Sequence, residues 1–223
     1  MSLKNENLLE SEDFILSSMR KLSENRPLFH IEADFQHALA WQIQKDFPEL
    51  DIRFEYKPQN IPERMFVDLW IKDKFGNNHA IELKYKTRKF EETTHYEKFN
   101  LMDQSAQDLG RYDYLKDIER LEKIVSSHEK TIGYAILLTN DSGYWNVPQN
   151  SDTVDAEYRI FDGKNIHGVL SWADHASLGT TMGRVRPLKI SGNYSLKWND
   201  YSQVGNKSSG KFRYLLSKII GDV

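Results

Sequence analysis

The sequence predicts an α/β fold in which a mixed β-sheet is flanked by helices. Apolar residues recur at helical spacing near the N-terminus, then alternate in three short segments, and then return to helical spacing. The next segment, TIGYAILLT at residues 131–139, is almost continuously apolar, which is typical of a strand covered on both faces. The order helix, three strands, helix, strand indicates a small sheet with helices packed on it.

The composition is that of a globular chain, with 223 residues, 39% hydrophobic content and 12% aromatic content. A chain of this length buries a substantial core, and we expect one domain. Cysteine is absent, which excludes disulfides, cysteine-ligated zinc and thiol catalysis. The sequence contains no secretory signal and no apolar run of about 18 residues that would span a membrane. We therefore expect a cytoplasmic protein without membrane contact.

Two helices are predicted before residue 48. Ser11 is a suitable N-cap for a helix near residues 12–24, which would end before Arg26-Pro27. The second helix has a single apolar stripe and is closed by Pro48. The stripe consists of Phe35, Leu39, Ile43 and Phe47.

Three strands are predicted to follow. Ile52, Phe54 and Tyr56 alternate with polar residues up to Pro58, which indicates a half-buried strand. Residues 64–72 and 79–87 are predicted to form a hairpin-like pair, joined by the turn sequence DKFGNN.

A long helix is predicted within residues 103–125, where the apolar stripe consists of Leu109, Tyr112, Leu115, Ile118, Leu121 and Val125. Beyond residue 140 we predict strands at EYRIFD (157–162) and YSLKWNDYSQV (194–204), and an amphipathic helix at KFRYLLSKII (211–220). No repeat or linker marks a second domain. We expect a core at about residues 31–139 and a C-terminal elaboration at 140–223.

Asp68 is unusual because it lies in a segment that is apolar on both faces. Phe66 and Trp70 share its face, and the other face carries Val67, Leu69 and Ile71. A buried carboxylate requires a counter-ion, a metal or a proton. If the two hairpin strands pair, Asp68 lies near Glu82, and two carboxylates that close repel each other unless a cation lies between them.

The tripeptide Glu82-Leu83-Lys84 places a carboxylate and an ammonium on the same face of the second hairpin strand. This spacing alone is weak evidence, because Glu55-Tyr56-Lys57 has the same pattern in another alternating strand. What distinguishes Glu82 is the acidic residue in the preceding strand. A structural salt bridge between Asp68 and Lys84 is the competing explanation.

Two carboxylates that hold a divalent cation beside a lysine suit phosphodiester hydrolysis. The metal polarises the phosphodiester and lowers the pKa of a bound water molecule, and the lysine orients that water or stabilises the transition state. Oxygen ligands favour Mg²⁺ or Mn²⁺.

The segments VDLWI and IELKYK, in this order of elements, resemble the PD-(D/E)xK nuclease superfamily, which has the restriction-endonuclease-like fold with an αβββαβ core. The resemblance covers about residues 31–139, and Val67 stands where the motif has proline. It implies a Mg²⁺ site, for which Mn²⁺ could substitute, formed by Asp68, Glu82 and the backbone carbonyl of Leu83. It further implies that Lys84 positions the attacking water. Glu32 would complete the metal shell, and Gln107 is a weaker accessory match.

Positive charge is concentrated at two places. Residues 184–223 contain eight Lys and Arg residues against Asp200 and Asp222, a net charge of +6, whereas the whole chain has −3. A second basic cluster, from Lys84 to Lys89, follows the proposed metal ligands. The two clusters could meet around one site and hold a polyanion. The residues expected to contact nucleic acid are Lys86, Arg88, Lys89, Lys207, Lys211 and Arg213.

A match to G-x-x-x-x-G-K at residues 205–211 lacks the Ser or Thr that ligates magnesium, because Phe212 occupies that position. We predict a flexible basic loop there, whose charges contact backbone phosphates.

The sequence therefore predicts a Mg²⁺-dependent endonuclease acting on DNA rather than RNA. A homodimer would suit cleavage of both strands. The alternatives are a catalytically inactive module of the same fold that binds nucleic acid or a protein partner, and a purely structural α/β protein.

Overall fold

The computed structural model describes residues 14–61, 65–94 and 96–221. Its helices are α1 (Phe14–Asn25), α2 (Glu32–Asp46), α3 (Gln107–Ser127) and the short α4 (Leu178–Thr181). The strands are β1 (Asp51–Tyr56), β2 (Val67–Lys72), β3 (Asn78–Lys86), β4 (Phe90–Thr94), β5 (Glu97–Leu101), β6 (Thr131–Thr139), β7 (Asn165–Leu170), β8 (Leu188–Ser195), β9 (Trp198–Gln203) and β10 (Lys211–Ile220). Within these described ranges, no helix has the length and apolar character needed to cross a membrane.

Six strands form one mixed sheet in the order β1-β2-β3-β6-β10-β9. Strands β3 and β6 are parallel, and the other neighbours are antiparallel. The α/β class with a mixed central sheet and flanking helices is thereby confirmed. The strands β4 and β5, which form a separate hairpin between β3 and α3, are an addition that the sequence patterns did not predict.

Both faces of the sheet are covered. The α1 and α2 side includes the fully buried Phe35, Leu39 and Ile43, as the apolar stripe predicts. On the other face α3 packs through its own stripe against β6 and β10, and the pair β7–β8 lies beside α3. All nine residues of β6 are buried, as expected for a strand between two layers. Ser11 and Arg64, which belong to predicted element ends, lie outside the described residues.

The predicted amphipathic helix at residues 211–220 is wrong, because this segment is strand β10. It pairs with β6 along residues 213–220. Phe212 and Tyr214 pack in the core on the α2 side, whereas Leu215 and Ile219 pack in the core on the α3 side. A strand buried on both faces has no polar face, so its apolar spacing imitates that of a helix.

The other two C-terminal predictions also need correction. Residues 157–162 are not a strand but turns and irregular backbone, although Tyr158 and Ile160 are buried as an alternating pattern requires. The segment 194–204 is not one strand, because the chain turns at Leu196, whose N–H donates to the carbonyl of Lys164 at 2.9 Å. β8 ends before this turn and pairs with β7, and β9 begins after it and pairs with β10. The C-terminal region thus supplies two strands of the central sheet.

Candidate metal and nucleic-acid site

The site begins where β2 leaves β3. Their paired residues run from Lys72 opposite Asn78 to Leu69 opposite Ile81, and the described ladder ends there. Beyond that pair, a side chain takes the place of a backbone acceptor: Asp68 Oδ2 accepts a hydrogen bond from the Leu83 N–H at 2.6 Å. A carboxylate that accepts a backbone N–H is held in one orientation.

Glu32 continues this arrangement along the same edge of β3. It is the first residue of α2, and its Oε2 accepts a hydrogen bond from the Tyr85 N–H at 2.8 Å. Gln36, one turn later, donates from Nε2 to the backbone carbonyl of Asp68 at 2.9 Å. Helix α2 is thus bonded to both strands. The Asp68 and Glu32 carboxylates accept from the N–H groups of Leu83 and Tyr85, which have no β2 partner in the described ladder.

Glu82 and Lys84 project from β3 toward α3, where each has an ion-pair partner. The Glu82 carboxylate lies 3.0 Å from Nη2 of Arg120, and the Lys84 ammonium lies 2.8 Å from Oδ2 of Asp117. Arg120 and Asp117 also contact each other at 3.1 Å. Lys84 is therefore paired with Asp117 and not, as the competing explanation expects, with Asp68.

Asp117 and Arg120 were not identified from the sequence, although Asp117 carries a signal of the same kind as Asp68. It lies three residues after Tyr114 and four before Leu121, and both of these side chains are fully buried. A carboxylate inside the apolar stripe of a helix is as costly as one inside an apolar strand, and it likewise requires a partner. The pattern therefore predicts that Asp117 is buried, but it does not predict that Lys84 is its partner.

Burial raises the pKa of Asp68 to about 6, and the carboxylates of Asp117 and Glu32 add to the rise. Burial also raises the pKa of Glu82 well above its usual range, with further contributions from Asp117 and Asp68. Burial alone would lower the pKa of Lys84, but the Asp117 carboxylate outweighs it, so the pKa is raised and the ammonium stays charged.

The charges in this cluster do not balance. Glu32, Asp68, Glu82 and Asp117 are four carboxylates, and within the described ranges Lys84 and Arg120 are the cations that pair with members of the cluster. When all are ionised the cluster carries two excess negative charges. This excess is consistent with the raised pKa values, because each carboxylate opposes the ionisation of the others.

The donor set suits a hard divalent cation. Asp68 and Glu82 offer carboxylate oxygens, and the carbonyl of Leu83, the residue after Glu82, accepts from the Lys84 ammonium at 3.3 Å. Within the described ranges no group of three or more His, Cys, Asp or Glu side chains is arranged to hold a metal ion. A metal here would therefore rely on two carboxylates, the carbonyl and water, which is a coordination pattern that Mg²⁺ accepts.

The two predicted basic segments meet at Asn140, the residue after β6. Its Oδ1 accepts from the Arg88 N–H at 2.8 Å, and its Nδ2 donates to the carbonyls of Arg88 and Ser209 at 3.3 and 2.8 Å. A cavity of about 320 Å³ lies between these segments and is lined by Arg88, Lys89, Asn140 and Ser209. An adjoining cavity of about 550 Å³ is lined by Lys207, Lys211 and Trp145.

The predicted basic loop at 205–211 contains a single 3₁₀ turn, Ser208–Gly210. A Cβ at Gly210 would lie 1.9 Å from the carbonyl oxygen of Val204. This glycine is therefore required by the close approach of two backbone segments, and a phosphate need not be invoked to explain it.

The remaining predicted residues differ in burial and in the contacts that they already make. Arg213 is largely buried, lies 2.9 Å from Asp200 and packs over the Trp145 ring, so its charge is already compensated. Lys86 is the half-buried last residue of β3. Gln107 begins α3 and donates to Asp141 at 2.9 Å, and the structure shows no contact between it and the Asp68 carboxylate.

No protein-family model matches the chain, and comparisons with curated proteins and with solved structures give no significant match.

Proposed function

We propose that this protein is a metal-dependent nuclease of the PD-(D/E)xK type that hydrolyses phosphodiester bonds in DNA. The observation that carries the proposal is the grouping of four carboxylates with two cations around Asp68 and Glu82, at the point where β2 leaves β3. When all six groups are ionised, two negative charges remain in excess, and a divalent cation would reduce this excess. The order α2-β1-β2-β3-α3-β6 also supports the restriction-endonuclease-like fold, with β4 and β5 as an insertion.

Each residue of the cluster has a role in this proposal. Asp68, Glu82 and the Leu83 carbonyl would hold Mg²⁺ or Mn²⁺, and Glu32 would bind water molecules of the metal shell. The bound ion would polarise the phosphodiester and lower the pKa of a water molecule. Lys84, kept charged by Asp117, orients the attacking water and stabilises negative charge on the phosphoryl oxygens.

The groove at Asn140 would hold the nucleic-acid backbone. Arg88 and Lys89 extend from the end of the strand that carries Glu82 and Lys84, and Lys207 and Lys211 lie on the other segment. Such phosphate contacts position the substrate without reading its sequence.

A catalytically inactive module of the same fold is the second candidate, and one observation favours it. Glu82 and Lys84 already have protein partners, Arg120 and Asp117, at ion-pair distance. In this case the chain would bind nucleic acid or a protein and would not cleave DNA.

Incubation of plasmid, linear duplex, single-stranded DNA and RNA with Mg²⁺ or Mn²⁺ distinguishes the two candidates. We expect metal-dependent cleavage of DNA by the native chain, and no cleavage by Asp68→Ala or Lys84→Ala. Nicking of supercoiled plasmid identifies endonuclease action, and sedimentation on duplex DNA tests the dimer. DNA binding without cleavage under any metal would favour the inactive module, and activity that survives both substitutions would refute the assigned site.

A further inference from the structure

We propose that Arg120 is an exchangeable counter-ion for Glu82, and that a divalent metal displaces it when the site is loaded. This inference rests on the metal site of the proposed function. It adds a regulatory property, because the metal affinity is then set by competition with a side chain of the protein.

The contacts of the two partners are unequal. Arg120 donates hydrogen bonds to the Phe66 carbonyl and, at 3.1 Å, to Asp117, whereas its 3.0 Å contact with Glu82 is an ion pair without a hydrogen bond. In the part of the chain that the structure describes, Arg120 is the one cation in an ion pair with Glu82. Loss of their contact therefore leaves Arg120 with two acceptors, whereas Glu82 needs another cation.

Exposure is also unequal. The Glu82 side chain is 3% exposed and the Asp117 side chain 6%, but that of Arg120 is 23% exposed. A long side chain that reaches the cluster from solvent can withdraw by rotation about its own bonds, without movement of α3. The buried carboxylates have no such freedom.

The charge of the incoming ion supplies the reason for exchange. A cation between Asp68 and Glu82 would lie close to the guanidinium that contacts the same carboxylate, and like charges at that separation repel. Arg120 brings one positive charge to the cluster, and a divalent ion brings two. Exchange would therefore reduce the excess in the cluster from two negative charges to one and would separate the two cations.

The test measures Mn²⁺ binding, by the electron paramagnetic resonance signal of free Mn²⁺, to the full chain and to Arg120→Gln. We expect the variant to bind Mn²⁺ about tenfold more tightly, because the metal no longer competes with the guanidinium for the Glu82 carboxylate. Its melting temperature without metal should fall, and the rise on adding Mn²⁺ should exceed that of the native chain.

Two further variants serve as controls. Lys116→Gln removes a positive charge from the same helix, at a position that has no ion pair within the described ranges, and should change Mn²⁺ affinity less than twofold. Arg120→Lys keeps the positive charge but loses the planar guanidinium that reaches several partners at once. It should therefore bind Mn²⁺ more tightly than the native chain and less tightly than Arg120→Gln. It also provides a folded variant if Arg120→Gln does not fold.

The outcomes separate the two proposals. Equal or weaker Mn²⁺ binding by both Arg120 variants would overturn the exchange, even if the native chain binds metal and cleaves DNA. If neither the native chain nor the variants bind Mn²⁺, the proposed nuclease function fails, and the exchange fails with it. Mn²⁺ binding by the variants alone would confirm the competition and would favour the catalytically inactive module as the function of the native chain.

Discussion

The chain contains the pattern Glu-x-Lys twice along the same sheet, and the two copies have different surroundings. Glu55 and Tyr56 end the edge strand β1, Lys57 follows it, and Glu55 is exposed. Glu82-Leu83-Lys84 lies in β3, between β2 and β6, where Glu82 is buried. The same tripeptide pattern is therefore a solvated surface in one place and part of a charged cluster in the other.

The contrast shows that the candidate site depends on the charged residues around Glu82, and not on the Glu-x-Lys spacing. The side-chain contact of Glu55 shown by the structure is with Gln36, whose Nε2 lies 3.3 Å from it. Glu82, in contrast, interacts with Asp68, Asp117, Arg120 and Lys84, and its pKa is raised. Gln36 also donates to the Asp68 carbonyl, so variants at the first copy alter a neighbour of the site and serve as controls that leave its carboxylates in place.

The largest difference is expected in DNA cleavage. Glu82→Gln should lower the rate by about a thousandfold, because it removes a carboxylate of the proposed metal site and leaves the side-chain shape nearly unchanged. Glu55→Gln should retain the native rate. Single-turnover cleavage at saturating Mg²⁺ measures both, and an equal loss in the two variants would remove the distinction between the copies.

The second difference is expected in stability. Lys84→Met leaves Asp117 buried without its ammonium partner, and should lower the free energy of unfolding by about 3 kcal/mol. Lys57→Met alters an exposed side chain and should change that free energy by less than about 0.5 kcal/mol. Urea unfolding without metal tests the pair. A small effect at Lys84 would show that the ion pair with Asp117 contributes little.

The third difference concerns pH. The pKa of Asp68 is about 6 in the folded chain and about 4 in an unfolded one, so the folded state binds more protons between these values. The free energy of unfolding without metal should therefore fall as pH rises from 4 to 6. Asp68→Asn should reduce this slope, and Glu55→Gln should leave it in place. Urea unfolding across this range is the measurement, and an unchanged slope in Asp68→Asn would contradict the raised pKa.

The smallest expected difference is in the salt dependence of DNA binding. Lys207→Ala removes one charge from the groove and should reduce the slope of log affinity against log salt by about 1. Lys57→Ala also removes an exposed lysine and should leave the slope unchanged. Fluorescence anisotropy on labelled DNA with Ca²⁺ at several salt concentrations gives the slopes, and equal slopes would mean that the groove does not contact phosphates.

Local patterns predict α2 and the first three strands well, because the helix has a single apolar stripe and the strands are short segments bounded by turn sequences. The stripe of α2 and the alternation in β1 carry their period directly in the sequence. The prediction fails at β10, where both faces are covered and the pattern has no polar side. It also omits the β4–β5 hairpin.

Residue types and their spacing are enough to place Asp68 in an apolar strand, to put Glu82 and Lys84 on one face of the next strand, and to locate two basic segments. Which groups compensate these charges follows from the packing of α3 against the sheet. Asp117 and Arg120 come from a helix more than thirty residues later in the chain, and Asn140 joins the two basic segments. The physical reason is that periodicity follows from local backbone geometry, whereas a counter-ion depends on contacts between residues distant in sequence.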